Sequence, residues 1–356
     1  MKKHLILPVL ILIFLGSASP QRDRPDPQRN GSSFPRPKTF PMLARIGNHS
    51  SPKVDVYVIE YFTGHLSTRI IPVISLFTIA VGIPSNILIL WVLIFKTKKY
   101  SIAILYIGLA LSDLLFLVML SFKVHYHLND NNWILGEAMC KMVTAAFYGN
   151  LYCSIYIIMC IGVKRCMAIV FPFAYRTLPK RRCTILSCIL VWITVTCAML
   201  PQFMIKQSYP LSLLEITTCH DVLPLMDLPK AYLFYYLCMT LVGFFIPFLV
   251  TTLCYISIVW QLDRSDHERI YYVRMCVLVL IIFTLCFMPS NVILFIHYVK
   301  LYTSNEGNFY SYHSAAVCLC SLHSCLDPFL FVFMSRTSGY KHKRISFNGN
   351  NLSLST

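Results

Sequence analysis

Asp113 and Asp327 are carboxylates set inside long apolar runs, and a charge in hydrocarbon calls for a purpose. Two such groups at similar depth repel unless a proton or a cation lies between them. Ser154, in another apolar run, offers a hydroxyl. A sodium ion held by Asp113, Ser154 and Asp327 would satisfy the oxygen-ligand chemistry of a hard cation. A hydrogen-bonded, partly protonated network with water would serve as well. Asn86 is a fourth polar group in such a run, within Gly82-Ile-Pro84-Ser-Asn86. Arg165, preceded by Lys164, ends its run and reads either as a snorkelling anchor or as a working cation. Pro247 and Pro289 interrupt two further runs, where a lost backbone bond provides a pivot.

These groups need elements to hold them. Seven apolar runs, at about 70–95, 101–125, 138–170, 183–205, 232–261, 271–300 and 309–334, are each long enough to cross about 30 Å of hydrocarbon. The third is longer than needed and should tilt or protrude. Composition agrees: 56% of the residues are hydrophobic and 13% are charged, about half the charged fraction of soluble domains. The net charge of +16 would suggest nucleic acid in a soluble protein. Here the basic residues cluster in alternate short loops, among them Lys96, Lys98, Lys99, Arg176, Lys180, Arg181, Arg182, Arg264, Arg269 and Arg274. That pattern is topological, puts those loops in the cytoplasm, and argues against a nucleic-acid partner. The expected fold is an all-α membrane protein, a seven-transmembrane-helix bundle with a disordered extracellular N-terminus.

Lys2 and Lys3 precede an apolar run that is too short to span and ends at Gly16-Ser17-Ala18, so residues 1–18 read as a secretory signal. Residues 19–69 are polar and proline-rich and are expected to be a disordered extracellular segment. Asn30 and Asn48 stand in glycosylation sequons there. Residues 70–334 read as the seven-helix bundle and 335–356 as a short cytoplasmic tail. Most of the fifteen cysteines lie inside apolar runs, as small hydrophobes. Cys140 and Cys219 fall near extracellular helix ends, in an oxidising compartment.

Asn86 in its setting, Leu109–Asp113, Cys140, Trp192, Pro247, Pro289 and Asp327-Pro328 resemble the marker positions of rhodopsin-like G-protein-coupled receptors, across all seven runs. Within that family, Ile216-Thr-Thr-Cys219-His220-Asp221 resembles the second-loop signature of protease-activated receptors. Tyr126-His127-Leu, Asn132-Trp133-Ile-Leu-Gly136-Glu137, Phe147-Tyr148-Gly-Asn and Pro289-Ser-Asn291 are similar to the same group. The short tail, Asp266-His267 and Lys38-Thr39-Phe40 look most like its third, thrombin-receptor type.

The resemblance implies a non-enzymatic plasma-membrane receptor with its N-terminus outside. A trypsin-like serine protease, thrombin favoured, would cut the exodomain and free a tethered ligand that triggers heterotrimeric G proteins. Such proteases need Arg or Lys before the scissile bond. Arg24 and Arg36 are followed by proline, and Arg29 would free an Asn-Gly-Ser start. Lys38–Thr39 frees Thr39-Phe40-Pro41-Met42-Leu43, with an aromatic second residue. Only Asp55 and Glu60 are acidic in 41–62, a poor docking segment for thrombin. The resemblance further implies a Cys140–Cys219 disulfide and a pocket mouth bearing His220 and Asp221, with Asp221 receiving the new ammonium. Tyr298 and Tyr310 would face the ligand, or else belong to an interfacial aromatic belt. Arg165 would couple the G protein.

Two departures stand out. Lys164-Arg165-Cys166 replaces the usual Asp-Arg-Tyr, and Phe331 replaces the usual tyrosine after Asp327-Pro328. They favour an alternative in which the chain docks a protease for another protease-activated receptor and signals poorly itself. A transporter or intramembrane enzyme is disfavoured, since neither paired broken helices nor a His-Glu-x-x-His motif occurs.

Overall fold

The computed structural model describes residues 56–96, 100–211, 214–221, 230–261, 267–304 and 309–332. The signal sequence, both sequons, the Lys38–Thr39 bond, residues 39–43 and the tail therefore lie outside the described residues. Among those described, seven helices are long and apolar enough to cross a membrane: Leu66–Phe95, Ile102–Leu128, Gly136–Val170, Lys180–Met204, Phe234–Gln261, Cys276–His297 and Ser311–Val332. They are called the first to seventh spans.

The spans are inverted relative to a soluble bundle. Large apolar side chains point outward: Phe77, Leu88, Ile94, Leu190, Leu249 and Ile281 are all exposed. The buried set includes Ser75, Thr78, Asn86, Asp113, Asn150, Ser154, Thr251, Asn291, Ser324 and Asp327. Lipid is as apolar as leucine, so burying leucine gains little, and the polar groups gather where they can meet one another. The third span is the central post. Its 35 residues reach about 52 Å at 1.5 Å per residue, beyond the hydrocarbon thickness. Ile155 and Ile157 on it are fully buried.

Pro247 shapes the fifth span. A proline there removes one N–H and its ring crowds the carbonyl a turn earlier. The helix answers with a π-turn at Leu241–Phe245 just before it. Gly243 in that turn lies against the third span: an added Cβ would come within 2.6 Å of the Tyr152 ring. Glycine is what lets the two helices approach here. Pro289 lies inside the helix His267–Ser304.

The segment expected to be disordered up to residue 69 carries regular structure over its last residues. Val56–Thr63 is a helix and Leu66–Ile70 a π-turn leading into the first span. The reason is packing against residues distant in sequence. Tyr61 and Phe62 are apolar enough to bury at 4% and 3% exposure, and polar partners fix their backbone. Asn131 Nδ2 donates to the Phe62 carbonyl (2.8 Å), and Ser67 Oγ donates to Asn131 Oδ1 (2.7 Å).

The second extracellular loop carries a hairpin that the helix-only reading did not anticipate. β1 (Ser208–Leu211) pairs antiparallel with β2 (Ile216–Cys219), Ser208 opposite Cys219 and Leu211 opposite Ile216. Three anchors hold it down. Cys219 is disulfide-bonded to Cys140 on the third span. Glu137 accepts the backbone N–H groups of Gln207 and Ser208, both at 2.7 Å. Trp133 N donates to the Thr217 carbonyl (2.7 Å), while Thr217 N donates to Asn132 Oδ1 (2.9 Å).

Candidate functional site

The hairpin ends over a cavity. Its walls come from the first, second, third and seventh spans, with Cys219, His220 and Asp221 above and Tyr61 at one side, and it encloses ≈ 900 Å³, solvent-open volume included. Part of the lining is apolar: Phe116, Leu120, Val143 and Phe147. The rest is polar: Lys123, His127, Tyr148, His220, Asp221 and His313.

Asp221 is buried at 7% exposure and already has partners. Tyr126 Oη donates to Oδ2 at 2.6 Å, and Lys123 Nζ lies 3.3 Å from Oδ2 and 3.4 Å from Oδ1. Lys123 also donates to the Cys219 carbonyl (3.2 Å) and sits 4.6 Å from the Tyr126 ring centre. A carboxylate in so dry a place needs this company. An incoming ammonium must therefore compete with Lys123. The sequence reading missed Lys123, although a lysine inside the apolar run 101–125 was a usable signal.

His220 takes the left-handed backbone conformation (φ 67°). Its Nδ1 is 2.7 Å from Gln207 Oε1, and its Nε2 3.2 Å from the Tyr148 hydroxyl. A neutral ring with its proton on Nδ1 satisfies both contacts. Burial, reinforced by the nearby Lys123 cation and opposed by Asp221, pushes its pKa down to about 4. The side chains of Tyr298 and Tyr310 lie outside the described set, so their relation to the cavity is not part of this geometry.

Deeper in the bundle, Asp113 and Asp327 meet a residue the sequence reading did not include. One ligand atom each from Asp113, His323 and Asp327 lies within 4.8 Å of the others. Asn150 bridges Asp113 and His323: its Nδ2 donates to Asp113 Oδ1 (3.0 Å), and its Oδ1 is 3.0 Å from His323 Nε2. Asp113 Oδ2, Ser154 Oγ and both Asp327 oxygens have no hydrogen-bond partner among the described residues. Buried orphan oxygens suit a hard cation. The imidazole at the same cluster is a donor that an all-oxygen site would not require.

At the cytoplasmic end, Arg165 hydrogen-bonds Tyr106 of the second span. The ring of Phe331 meets Tyr106 edge-on, 5.1 Å between centres. Lys164 turns to the fourth span, donating to Thr184 Oγ1. Cys166 hydrogen-bonds Cys254 of the fifth. Tyr255 is buried at 1% exposure and its hydroxyl has no partner among the described residues.

Comparison with known proteins fits this architecture. Residues 85–331 match the family model of the 7 transmembrane receptor (rhodopsin family). The chain is 46% identical to Proteinase-activated receptor 3 of Homo sapiens over 281 residues, covering 79% of this chain and 75% of that one. It is 34% identical to Proteinase-activated receptor 2 of Mus musculus, covering 87% and 81%. It is 36% identical to Proteinase-activated receptor 1 of Xenopus laevis, covering 78% and 66%. This is a family of signalling receptors rather than enzymes. The chain is a multi-pass plasma-membrane protein that belongs to the rhodopsin family of seven-transmembrane receptors and, within it, to the proteinase-activated receptors.

Proposed function

We propose that this receptor is switched on when a trypsin-like serine protease, thrombin favoured, cuts the Lys38–Thr39 bond. The new N-terminus, Thr39-Phe40-Pro41-Met42-Leu43, then acts as a tethered ligand for the extracellular cavity, and Arg165 couples the change to heterotrimeric G proteins. The observation that carries this reading is the buried Asp221, held at the cavity roof by a displaceable ammonium from Lys123 and by Tyr126. The Thr39 ammonium exchanges with that of Lys123, and Phe40 enters the apolar wall of Phe116, Leu120 and Phe147. Residues 44–55 reach at most about 40 Å, and tethering raises the local ligand concentration to about the millimolar range. Weak intrinsic affinity is then enough. Glycans at Asn30 and Asn48, and a sodium ion at Asp113, Ser154 and Asp327 that steadies the resting bundle, belong to the same proposal. So does the division into signal (1–18), exodomain (from 19), bundle (to 334) and tail (335–356).

The test uses cells displaying the N-terminally tagged receptor, with tag loss and intracellular calcium recorded together after thrombin or trypsin. Lys38→Ala should abolish both readouts for thrombin. An unchanged new N-terminus in that variant would overturn the site. Asp221→Asn should keep tag loss and lose calcium.

A second reading has its own observation. With Lys164 engaged by Thr184 and Phe331 lacking a hydroxyl, the cytoplasmic face is short of the polar contacts that drive a G protein. The chain would then dock a protease for another protease-activated receptor. Tag loss without a calcium signal, restored when a second such receptor is co-expressed, selects that reading.

A further inference from the structure

The seventh span brings an imidazole to the two deep carboxylates, and all three side chains are buried. One nitrogen of His323 is already engaged. Its Nδ1 faces the Cys320 carbonyl, which can only accept, so Nδ1 carries the ring proton. Nε2 then presents a lone pair, and oxygens surround it. Asn150 Oδ1 is 3.0 Å away and Asp113 Oδ1 3.8 Å away. The Ser324 hydroxyl stands 3.5 Å off, at the limit of hydrogen-bond reach. Turning the Asn150 amide would not help, because its Nδ2 already donates to Asp113 Oδ1 at 3.0 Å and to Ser112 Oγ at 3.1 Å. Lone pairs of nitrogen and oxygen thus converge on one spot, and a positive centre belongs between them.

Asp327 supplies a second, independent sign. It is 2% exposed, and neither of its oxygens has a hydrogen-bond partner among the described residues. Charge then selects the ion. Two carboxylates with a neutral imidazole carry two negative charges. Sodium would leave one of them uncompensated in a dry interior, whereas a dication leaves none. Ligand type narrows the choice further. Calcium and magnesium take oxygen, while imidazole suits zinc and its first-row neighbours. Atoms bound at about 2 Å to one ion stand about 3–4 Å apart, and those of Asp113, His323 and Asp327 lie within 4.8 Å of one another. The Nδ1 contact to a backbone carbonyl is the outer support that metal-bound histidines use to fix their tautomer. A way in exists as well. The extracellular cavity is lined in part by Phe116 and Ser321, and the Phe116 ring stacks on His323 with 6.2 Å between centres.

We propose that this cluster binds a first-row transition-metal dication of the zinc class, with His323 Nε2, Asp113 and Asp327 as its protein ligands. The ion ties the second span to the seventh. Zinc binding here rests on the reading that these carboxylates hold a cation, and sodium is the ion that zinc displaces.

The experiment uses full-length receptor purified in detergent, stripped with a chelator and kept in choline buffer. Thermal unfolding is followed while zinc, calcium or sodium chloride is added. Zinc should stabilise the wild type at far lower concentration than sodium, calcium should do little, and added sodium should raise the zinc needed. His323→Asn should weaken apparent zinc affinity by about a hundredfold, since even the outer partner of a metal ligand is worth about 10–100-fold. Its retained response to sodium shows that the variant is folded. His125→Gln, at an exposed histidine of the second span, should behave as wild type. Cobalt in place of zinc reports the ligands: a thiolate-bound ion adds an intense near-ultraviolet band, and an imidazole–carboxylate site does not. An equal zinc response in wild type and His323→Asn overturns the proposal, as does a thiolate band. Stabilisation by sodium but not by zinc overturns it alone and leaves the sodium reading standing. If neither ion stabilises the wild type, the cation reading of the carboxylates falls with it.

Discussion

The two ends of the bundle are built differently. At the extracellular end the polar groups around the hairpin and the cavity roof are engaged. Asp221 has Lys123 and Tyr126, His127 Nδ1 is 2.7 Å from Asn131 Oδ1, Tyr61 Oη is 2.8 Å from Ser314, and a disulfide ties the hairpin to the third span. At the cytoplasmic end Arg165 leans on a tyrosine, Tyr106, and its Nε is unsatisfied among the described residues, as is the Tyr255 hydroxyl. Satisfied buried networks hold one arrangement firmly, while orphaned groups mark where a second arrangement can take over. The outer end is therefore a rigid receiver. The inner end is set to change but lacks contacts that would favour either state.

The largest effect should come from cutting the outer anchor. Cys140 and Cys219 are 79 residues apart, and opening so long a loop costs about 4–5 kcal/mol on the chain-entropy view. Cys140→Ala and Cys219→Ala should each strip the receptor from the cell surface and silence protease-evoked calcium, both read by flow cytometry with a calcium dye. If both single variants reach the surface and respond normally, the outer end is not the rigid partner and the comparison fails.

A smaller effect is expected from rebuilding the inner end. Lys164→Asp with Cys166→Tyr and Phe331→Tyr returns a carboxylate beside Arg165 and a hydroxyl beside Tyr106. One regained polar contact is worth about 1 kcal/mol, so G-protein activation in membranes should rise about fivefold. Nucleotide exchange on added G protein, after identical cleavage of both receptors, measures this. A wild type that already activates fully, with no gain in the variant, would mean that the sparse contacts are no handicap.

Much of this contrast was legible in the sequence, but unevenly. The spans were visible because hydrophobicity over about twenty residues is a local property, and the departures at Lys164, Cys166 and Phe331 stand in a linear motif. The pairings were not visible. Lys123 and Asp221 are separated by 98 positions, Ser67 and Asn131 by 64, and Lys164 and Thr184 by 20. Each depends on the angle at which two helices meet, which no local pattern encodes. The segment 56–69 misled for a related reason. Its polar neighbours suggested disorder, yet Tyr61 and Phe62 find a surface made by distant residues. The hairpin is similar: Ile216-Thr-Thr-Cys219 has strand-forming composition, but its partner Ser208-Tyr-Pro-Leu211 does not advertise itself.

The finest test of the outer network is its response to acid, which centres on His220. The groups facing its ring are Gln207, Tyr148, Lys123 and Asp221. Its pKa falls from the ordinary 6.5 to about 4 in the folded receptor, so between those values the unfolded chain binds the extra proton and the folded one does not. Stability then rises with pH across that window, and the loss is complete below about pH 4. Going from about pH 7.4 to about pH 5 should cost about 1–2 kcal/mol, the lower figure allowing for partial exposure of the ring. His220→Gln offers amide groups to the same neighbours without titrating. Thermal unfolding of purified wild type should shift down by about 2–4 °C more than the variant between the two pH values. Acid effects from other groups appear in both proteins and cancel in the difference. Identical shifts would mean that His220 is already accessible to protons, and that the roof of the cavity is looser than its hydrogen bonds imply.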